Sequence, residues 1–238
     1  TVVGKRSGSV LDVVTGGQDT VAVRVPNHPM TLSLLAKLHD HDIVGLVAPS
    51  ANTFGGVSPT TAEHVLHDLG TYLESHGDVV LDGGPCAVGV ESTIVLATGD
   101  QPIILRPGAV TQQNIEDITG VQVLAQSATS PRVSGSLESH YAPTAQVVLV
   151  DAQALISQPL VAHSGLIALA DVATPDNFIR LSSPQSPAEF ASQLYAALRS
   201  ADDQCIPVVY VVAPEGTGIE QAIADRLRRA AHSDRSPK

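Results

Sequence analysis

From Ser127 to Ala145 the chain reads "SATSPRVSGSLESHYAPTA", and there the hydrophobic periodicity that marks the residues on either side stops. Ser, Pro and Gly dominate this stretch, a composition that suits neither a packed helix nor a paired strand. A break of this kind within 238 residues divides the chain into two parts, each of which must bury a core of its own. The sequence therefore predicts a domain over residues 1–125, a linker over 126–145 and a smaller domain over 146–238.

Strand and helix signals alternate on both sides of the break. The chain opens in what reads as a strand, and Thr20 to Val25 and Ile43 to Ala48 read as two more. Between those two, Met30, Leu34, Leu35 and Leu38 form a helical stripe. Ser58 suits an N-cap with Pro59 at the first helical position, followed by Ala62, Val65, Leu66 and Leu69 at helical spacing. Asp78 to Leu81 is a further strand signal. Ser92 to Ala97 and Pro102 to Arg106 flank the turn Thr98-Gly99-Asp100, so an antiparallel hairpin and a mixed twisted sheet are expected. After the break, strands are predicted at Val147 to Val150, Leu166 to Ala170 and Pro207 to Val212, with helices at about 187–199 and 218–231. Thr217 and Glu220 fit a T-x-x-E capping box at the start of the last helix. The fold class is α/β, with a Rossmann-like, largely parallel sheet in the second domain.

Charge and motifs narrow the chemistry. A formal net charge of −11 argues against a surface built to grip a nucleic-acid backbone. Cys86 and Cys205 lie far apart and form neither a zinc motif nor a disulfide framework, which suits a reducing cytoplasm. No apolar run reaches the roughly 20 residues of a membrane span. Gly4-Lys5 is followed by Arg6, which rules out a Walker A loop, and Gly216-Thr217-Gly218 reads as a helix cap. The "HDHD" of residues 39–42 points its side chains in different directions, so no metal site is assigned to it. Asp82 and Glu91 carry no mark of a catalytic carboxylate pair, and no nucleophile has a positioned base. What does recur is polar residues at strand ends: Arg24, Ser50, Asn52, Ser92, Thr93 and Arg106. Each alone reads as a turn former or an exposed arginine. As a set they occupy the places where α/β folds collect ligands, and they suit carboxylate and phosphate oxygens.

"TVAVRVPNHP", "APSANTFGGVSPTTAEHV", "DGGPCAVGVESTIV" and "ILRPGAV", in this order, resemble the YrdC/TsaC family of L-threonylcarbamoyladenylate synthases. "PRVSGSLESHYAP" and the terminal "GTGIEQAIADRLRRAA" resemble its two-domain form. Residue 1 falls just before the "VRVP" strand, so the resemblance implies that the family's N-terminal third, with its basic nucleotide-binding segment, lies outside this chain. The first domain would then be the C-terminal part of a YrdC-like domain.

The implied reaction joins L-threonine, bicarbonate and ATP, with Mg2+ on the triphosphate, to give threonylcarbamoyl-AMP and pyrophosphate. Its product goes to a downstream tRNA-modifying complex that makes threonylcarbamoyladenosine. By resemblance, Arg24 pairs with the threonine carboxylate, and Ser50 and Ser92 flank the amino acid. Thr20, Asn52, Thr60 and Arg106 face ATP. Tyr141, with His140 beside it, belongs to a linker that closes over the nucleotide as a lid. Two rival readings are an RNA-binding module of the same fold and another carbamoyl or adenylyl transferase.

Overall fold

The computed structural model describes residues 1–135 and 141–232, so His140 lies outside the described residues. In chain order these form β1 (Val2–Lys5), α1 (Asp12–Thr15), β2 (Thr20–Val23), α2 (Pro29–His39), α3 (Ala62–His76), β3 (Ile94–Leu96) and β4 (Ile103–Arg106). They continue with α4 (Gln112–Thr119), β5 (Gln146–Leu149), α5 (Ala154–Ser157), β6 (Gly165–Ile167), β7 (Ile179–Ser182), α6 (Pro187–Asp203), β8 (Val208–Val211) and α7 (Glu220–Ala231). None of the helices is long and apolar enough to cross a membrane.

Two compact units emerge. The first gathers Thr1–Ser50, Thr93–Arg106 and Gln112–Val133 around a mixed sheet of order β2-β1-β3-β4. In it β1 runs antiparallel to β2 and parallel to β3, and β3 forms the expected antiparallel hairpin with β4. Its core is small: Val3, Ile94, Leu96 and Leu105, with Ile103 and Val133 against them. The stripe of α2 forms as read, with Pro29 at its start, yet buries none of its residues.

The second unit takes Ala51–Ser92, Pro107–Thr111 and the described residues from Ser134 onward. Its sheet, β5-β8-β6-β7, is parallel throughout. Helix α6 starts at Ser186, whose hydroxyl accepts the Glu189 N–H at 3.2 Å, with Pro187 in the first turn. One broad face of α6 is buried: Phe190, Ala191, Leu194, Tyr195, Ala197, Leu198 and Ala201. Helix α7 buries Ala222, Ile223, Arg226, Leu227 and Ala230. Together with Val147, Val209 and Val211 they form the main core, which also takes in Val57 and Val90.

Several sequence expectations fail locally. Residues 43–48 and 78–81 are not strands. Apolar runs of this kind become strands only where a neighbouring backbone takes their hydrogen bonds, and among the described residues none does; Val44 is 91% exposed and Val79 81%. Ser58 is not the N-cap of α3. Its hydroxyl is engaged elsewhere, and Thr61 caps instead, accepting the His64 N–H at 3.3 Å. The Thr217 capping box does not form either: the Glu220 carboxylate reaches back only to the Gly218 N–H, at 2.9 Å, and the helix is capped at Ile219 without a side-chain bond. Strand β7 carries no clear sequence signal: its residues "IRLS" alternate apolar and polar, but over only four positions, too short a run to stand out.

Candidate functional site

In the first unit the strand register gathers one end of the sheet. Val2 pairs with Val23 and with Val95, and Ile94 pairs with Arg106. The next position along therefore sets Arg24, Thr1, Ile94 and Arg106 in one row, with the backbones of the two arginines three strand steps, about 14 Å, apart. Arg24 is exposed, whereas Arg106 is only 8% exposed, and Thr93 beside this row is buried. Ser50, at the end of its segment in this unit, is exposed. Thr20 starts β2 opposite Lys5, at the other end of the same sheet. There it lines an open depression of about 430 Å³ with Gln18, Asp19, Leu96 and Thr98. The register thus brings Arg24 and Arg106 together and leaves Thr20 apart from them.

The second unit holds Asn52, Thr60, Ser92 and Tyr141. Asn52 folds its turn by donating from Nδ2 to the carbonyls of Thr53 and Gly56, at 2.8 and 3.2 Å. Its Oδ1 is buried with no partner among the described residues, an acceptor left open beside Gly55 and Gly56. The Ala142 N–H donates to the Gly55 carbonyl at 3.2 Å, so the segment that begins at Tyr141 docks on this turn. Thr60 is buried; its N–H donates to His64 Nδ1 at 3.2 Å, with its hydroxyl 3.3 Å from the same nitrogen. That arrangement needs an unprotonated Nδ1. Burial, aided by Arg199, moves the imidazole the same way, holding its pKa below the usual histidine range.

Beneath these residues lies a buried polar network that the sequence reading missed. Glu91, the residue before Ser92, accepts from the Ser58 hydroxyl at 2.7 Å, the Tyr195 hydroxyl at 2.9 Å and Arg226 Nε at 2.7 Å. Arg226 has no exposed surface; its other nitrogens donate to the Asp225 carboxylate at 2.6 Å and the Pro107 carbonyl at 3.0 Å. Its guanidinium lies 5.5 Å over the Tyr141 ring, which stacks on Tyr195 at 5.6 Å. Tyr141 is 1% exposed and adopts a φ of 61°, a left-handed conformation that a bulky residue keeps only when its surroundings hold it.

Burial alone would raise the Glu91 carboxyl, but Arg226 and the hydrogen bonds from Arg226, Ser58 and Tyr195 outweigh it and hold the group below the usual carboxylate range. Burial, then the neighbouring Glu91, pushes the Tyr195 phenol well up. The network is therefore an ionised Glu91–Arg226 pair with a neutral tyrosine donating into it.

Arg199 makes a second anchor. It grips Asp68 through both carboxylate oxygens, at 3.0 and 2.6 Å, and donates to the Val57 carbonyl. Gly89, at φ +77°, lies directly on α6, where an added Cβ would stand 2.3 Å from the Ala191 carbonyl oxygen. So the segments 57–60 and 89–92 rest on the C-terminal helices through close glycine packing and arginine forks. A signal for Arg226 exists in the sequence: Ile223, Arg226, Leu227 and Ala230 share one helical stripe, and an arginine on an apolar stripe calls for a buried carboxylate. Among the described residues no cluster of three or more His, Cys, Asp or Glu is placed to hold a metal ion.

Two family models meet on this chain: one described as telomere recombination, of the Sua5/YciO/YrdC family, matches residues 1–108, and the threonylcarbamoyl-AMP synthase C-terminal domain matches residues 110–232. Threonylcarbamoyl-AMP synthase of Bacillus subtilis is 34% identical over 92% of this chain and 65% of its own length. That of Pyrococcus abyssi is 33% identical over 97% of the chain and 69% of its own length. The chain thus spans about two thirds of the length of these relatives. A crystal structure of P. abyssi Sua5 complexed with L-threonine superposes with a TM-score of 0.76 at 30% identity, over 97% of this chain and 70% of that one. Since the two family models divide nearly the whole chain between them and the relatives match along 92–97% of it, the chain belongs to the Sua5-type, two-domain threonylcarbamoyl-AMP synthase family.

Proposed function

We propose that this chain carries the synthesis of threonylcarbamoyl-AMP from L-threonine, bicarbonate and ATP, for threonylcarbamoyladenosine modification of tRNA. The observation that carries the reading is the row that sets Arg24 and Arg106 at one end of the first sheet, two fixed cations for two anionic substrates. The open acceptor on Asn52 adds to it.

The threonine amine adds to the bicarbonate carbon and water leaves, giving a carbamate. A carbamate oxygen then attacks the α-phosphorus of ATP, and the bond to the bridging oxygen breaks to release pyrophosphate. This phosphoryl step asks the protein for alignment and charge stabilisation more than for proton shuttling. Arg24 pairs with the threonine carboxylate, with Ser50 and Ser92 beside the amino acid. Thr20, Asn52, Thr60, Arg106 and Tyr141 face ATP, which brings magnesium on its triphosphate. The linker over residues 126–145, which includes His140, closes over the nucleotide as a lid, and in sequence it joins a domain of residues 1–125 to one of 146–238. The product passes to a tRNA-modifying complex in the cytoplasm, and the net charge of −11 argues that this chain does not itself hold the tRNA.

Pyrophosphate release by the purified protein tests the reading. It should require threonine and bicarbonate together; release that is indifferent to threonine overturns it.

A further inference from the structure

We propose that Arg226 is the positioning residue of the site, a single buried fork that holds in place the neighbours of Ser92 and Arg106 and the ring of Tyr141 itself. Its Nε fixes Glu91, which precedes Ser92. One terminal nitrogen fixes the carbonyl of Pro107, which follows Arg106, and the guanidinium plane lies over the Tyr141 ring. The three segments share no strand pairing with one another among the described residues, so this side chain and its partners Glu91 and Tyr195 are what set their spacing.

Packing alone does not call for such an arrangement. A buried ion pair is often no more stable than an apolar group of the same volume, whereas a planar fork fixes direction as well as distance. Lysine keeps the charge opposite Glu91 but cannot also reach Pro107 or cover Tyr141, because its ammonium is a point charge. Helix α7, remote in sequence from the motifs, thereby governs how well they are held. Which substrates feel this rests on the synthase reading; the positioning itself rests on the geometry alone.

The test compares the wild-type protein with Arg226→Lys and Tyr195→Phe, by amide hydrogen exchange and by steady-state kinetics. For Arg226→Lys, faster exchange is expected at residues 89–93, 107–110 and 141–143, with β6, β8 and the middle of α6 unchanged. The KM for threonine and for ATP should each rise about tenfold, with kcat changed less. Tyr195→Phe removes only the 2.9 Å bond to Glu91 and should give the same pattern in weaker form at 89–93, so it carries the test if the lysine variant does not fold. Exchange unchanged at the three segments, or raised equally throughout the unit with both KM values unmoved, overturns the proposal. A wild-type protein that shows no threonine-dependent pyrophosphate release strikes the synthase reading instead, and the exchange pattern then still decides the positioning.

Discussion

The two units alternate strands and helices in much the same way, yet differ in what they bury. The second sinks twenty residues into one continuous cluster, including a whole face of α6 and the buried stripe of α7. The first closes over four, and leaves Val13, Val44 and Val47 more than 70% exposed. A hydrophobic stripe is thus only an offer of core. It becomes one where another element covers it, as β6, β7 and α7 cover α6, and α2 finds no such cover within its unit. Polar groups follow the same division: the interlocked carboxylates, guanidinium forks and tyrosine belong to the second unit.

The sharpest way to break this contrast is to cut equivalent apolar groups from each core. Phe190→Ala removes a side chain 1% exposed from the middle of the large cluster and should cost about 3–5 kcal/mol. Leu105→Ala, in the four-residue cluster, should fall near 2 kcal/mol, where the surroundings can collapse. Val44→Ala, at a residue 91% exposed, should stay within about 0.5 kcal/mol. Urea unfolding followed by circular dichroism would rank the three, and equal losses would remove the distinction between the units.

A second test lies within the first unit and separates its two arginines. Removing a charge-assisted hydrogen bond typically costs about 1.5–3 kcal/mol, tenfold to roughly a hundredfold in binding. Arg24→Ala should therefore raise the threonine requirement, and Arg106→Ala that for ATP. Arg106 is buried and Arg24 exposed, so only the Arg106 change should also lower the melting temperature. Equal effects of both variants on both substrates would remove the assignment.

Acid should then distinguish the units without mutation. Glu91 is held below its ordinary 4.5, its burial outweighed by Arg226, and Asp68 below its ordinary 3.8, chiefly by the hydrogen bond from Arg199. A carboxyl whose pKa is depressed by folding adds stability that is whole above the unfolded value and is lost as pH falls through the folded one. His64 is depressed as well, mainly by burial, so its smaller share begins to fade below 6.5. Glu116 in the first unit is also held low, by the Val123 N–H, but on the surface, where solvent screens the effect. Stability of the second unit should accordingly slip below about pH 6.5 and drop steeply below 4.5. Protection factors at residues 89–92, with the intrinsic pH dependence of amide exchange divided out, that stay flat from pH 7 to 3 would contradict this.

The same physics decides what could be read from sequence. The 94–106 hairpin, the stripe of α2 and the parallel second sheet were legible, because periodicity and turn chemistry are local. Residues 43–48 and 78–81 carried an equally good strand signal and failed, since pairing is decided by neighbours that a local pattern does not reveal. Among the site residues, the motif segments named Arg24, Ser92 and Tyr141 as candidates, but nothing near Glu91 announced that it would meet Tyr195 and Arg226, 104 and 135 positions away. Ser58 was misread for a related reason: its hydroxyl suits an N-cap, and Glu91 claims it first.

The smallest effect concerns the two capped helices of the second unit. Thr61 and Ser186 make the same bond, a hydroxyl accepting the N–H three residues on, at 3.3 and 3.2 Å. Replacing either with alanine should cost about 1 kcal/mol. The loss should nevertheless surface differently, because α6 is fastened along a whole buried face and α3 buries none of its residues. A helix held by packing along its length loses stability only as the unit unfolds, whereas one fastened at a single point, as Arg199 fastens α3 at Asp68, frays at its end. Ser186→Ala should therefore lower the global unfolding midpoint with its first turn still protected. Thr61→Ala should leave that midpoint nearly unchanged and speed exchange at residues 62–66. If both variants lower the midpoint equally and neither frays, α3 is fastened as firmly as α6, and the graded burial that separates well-packed from loosely held elements does not extend into the second unit.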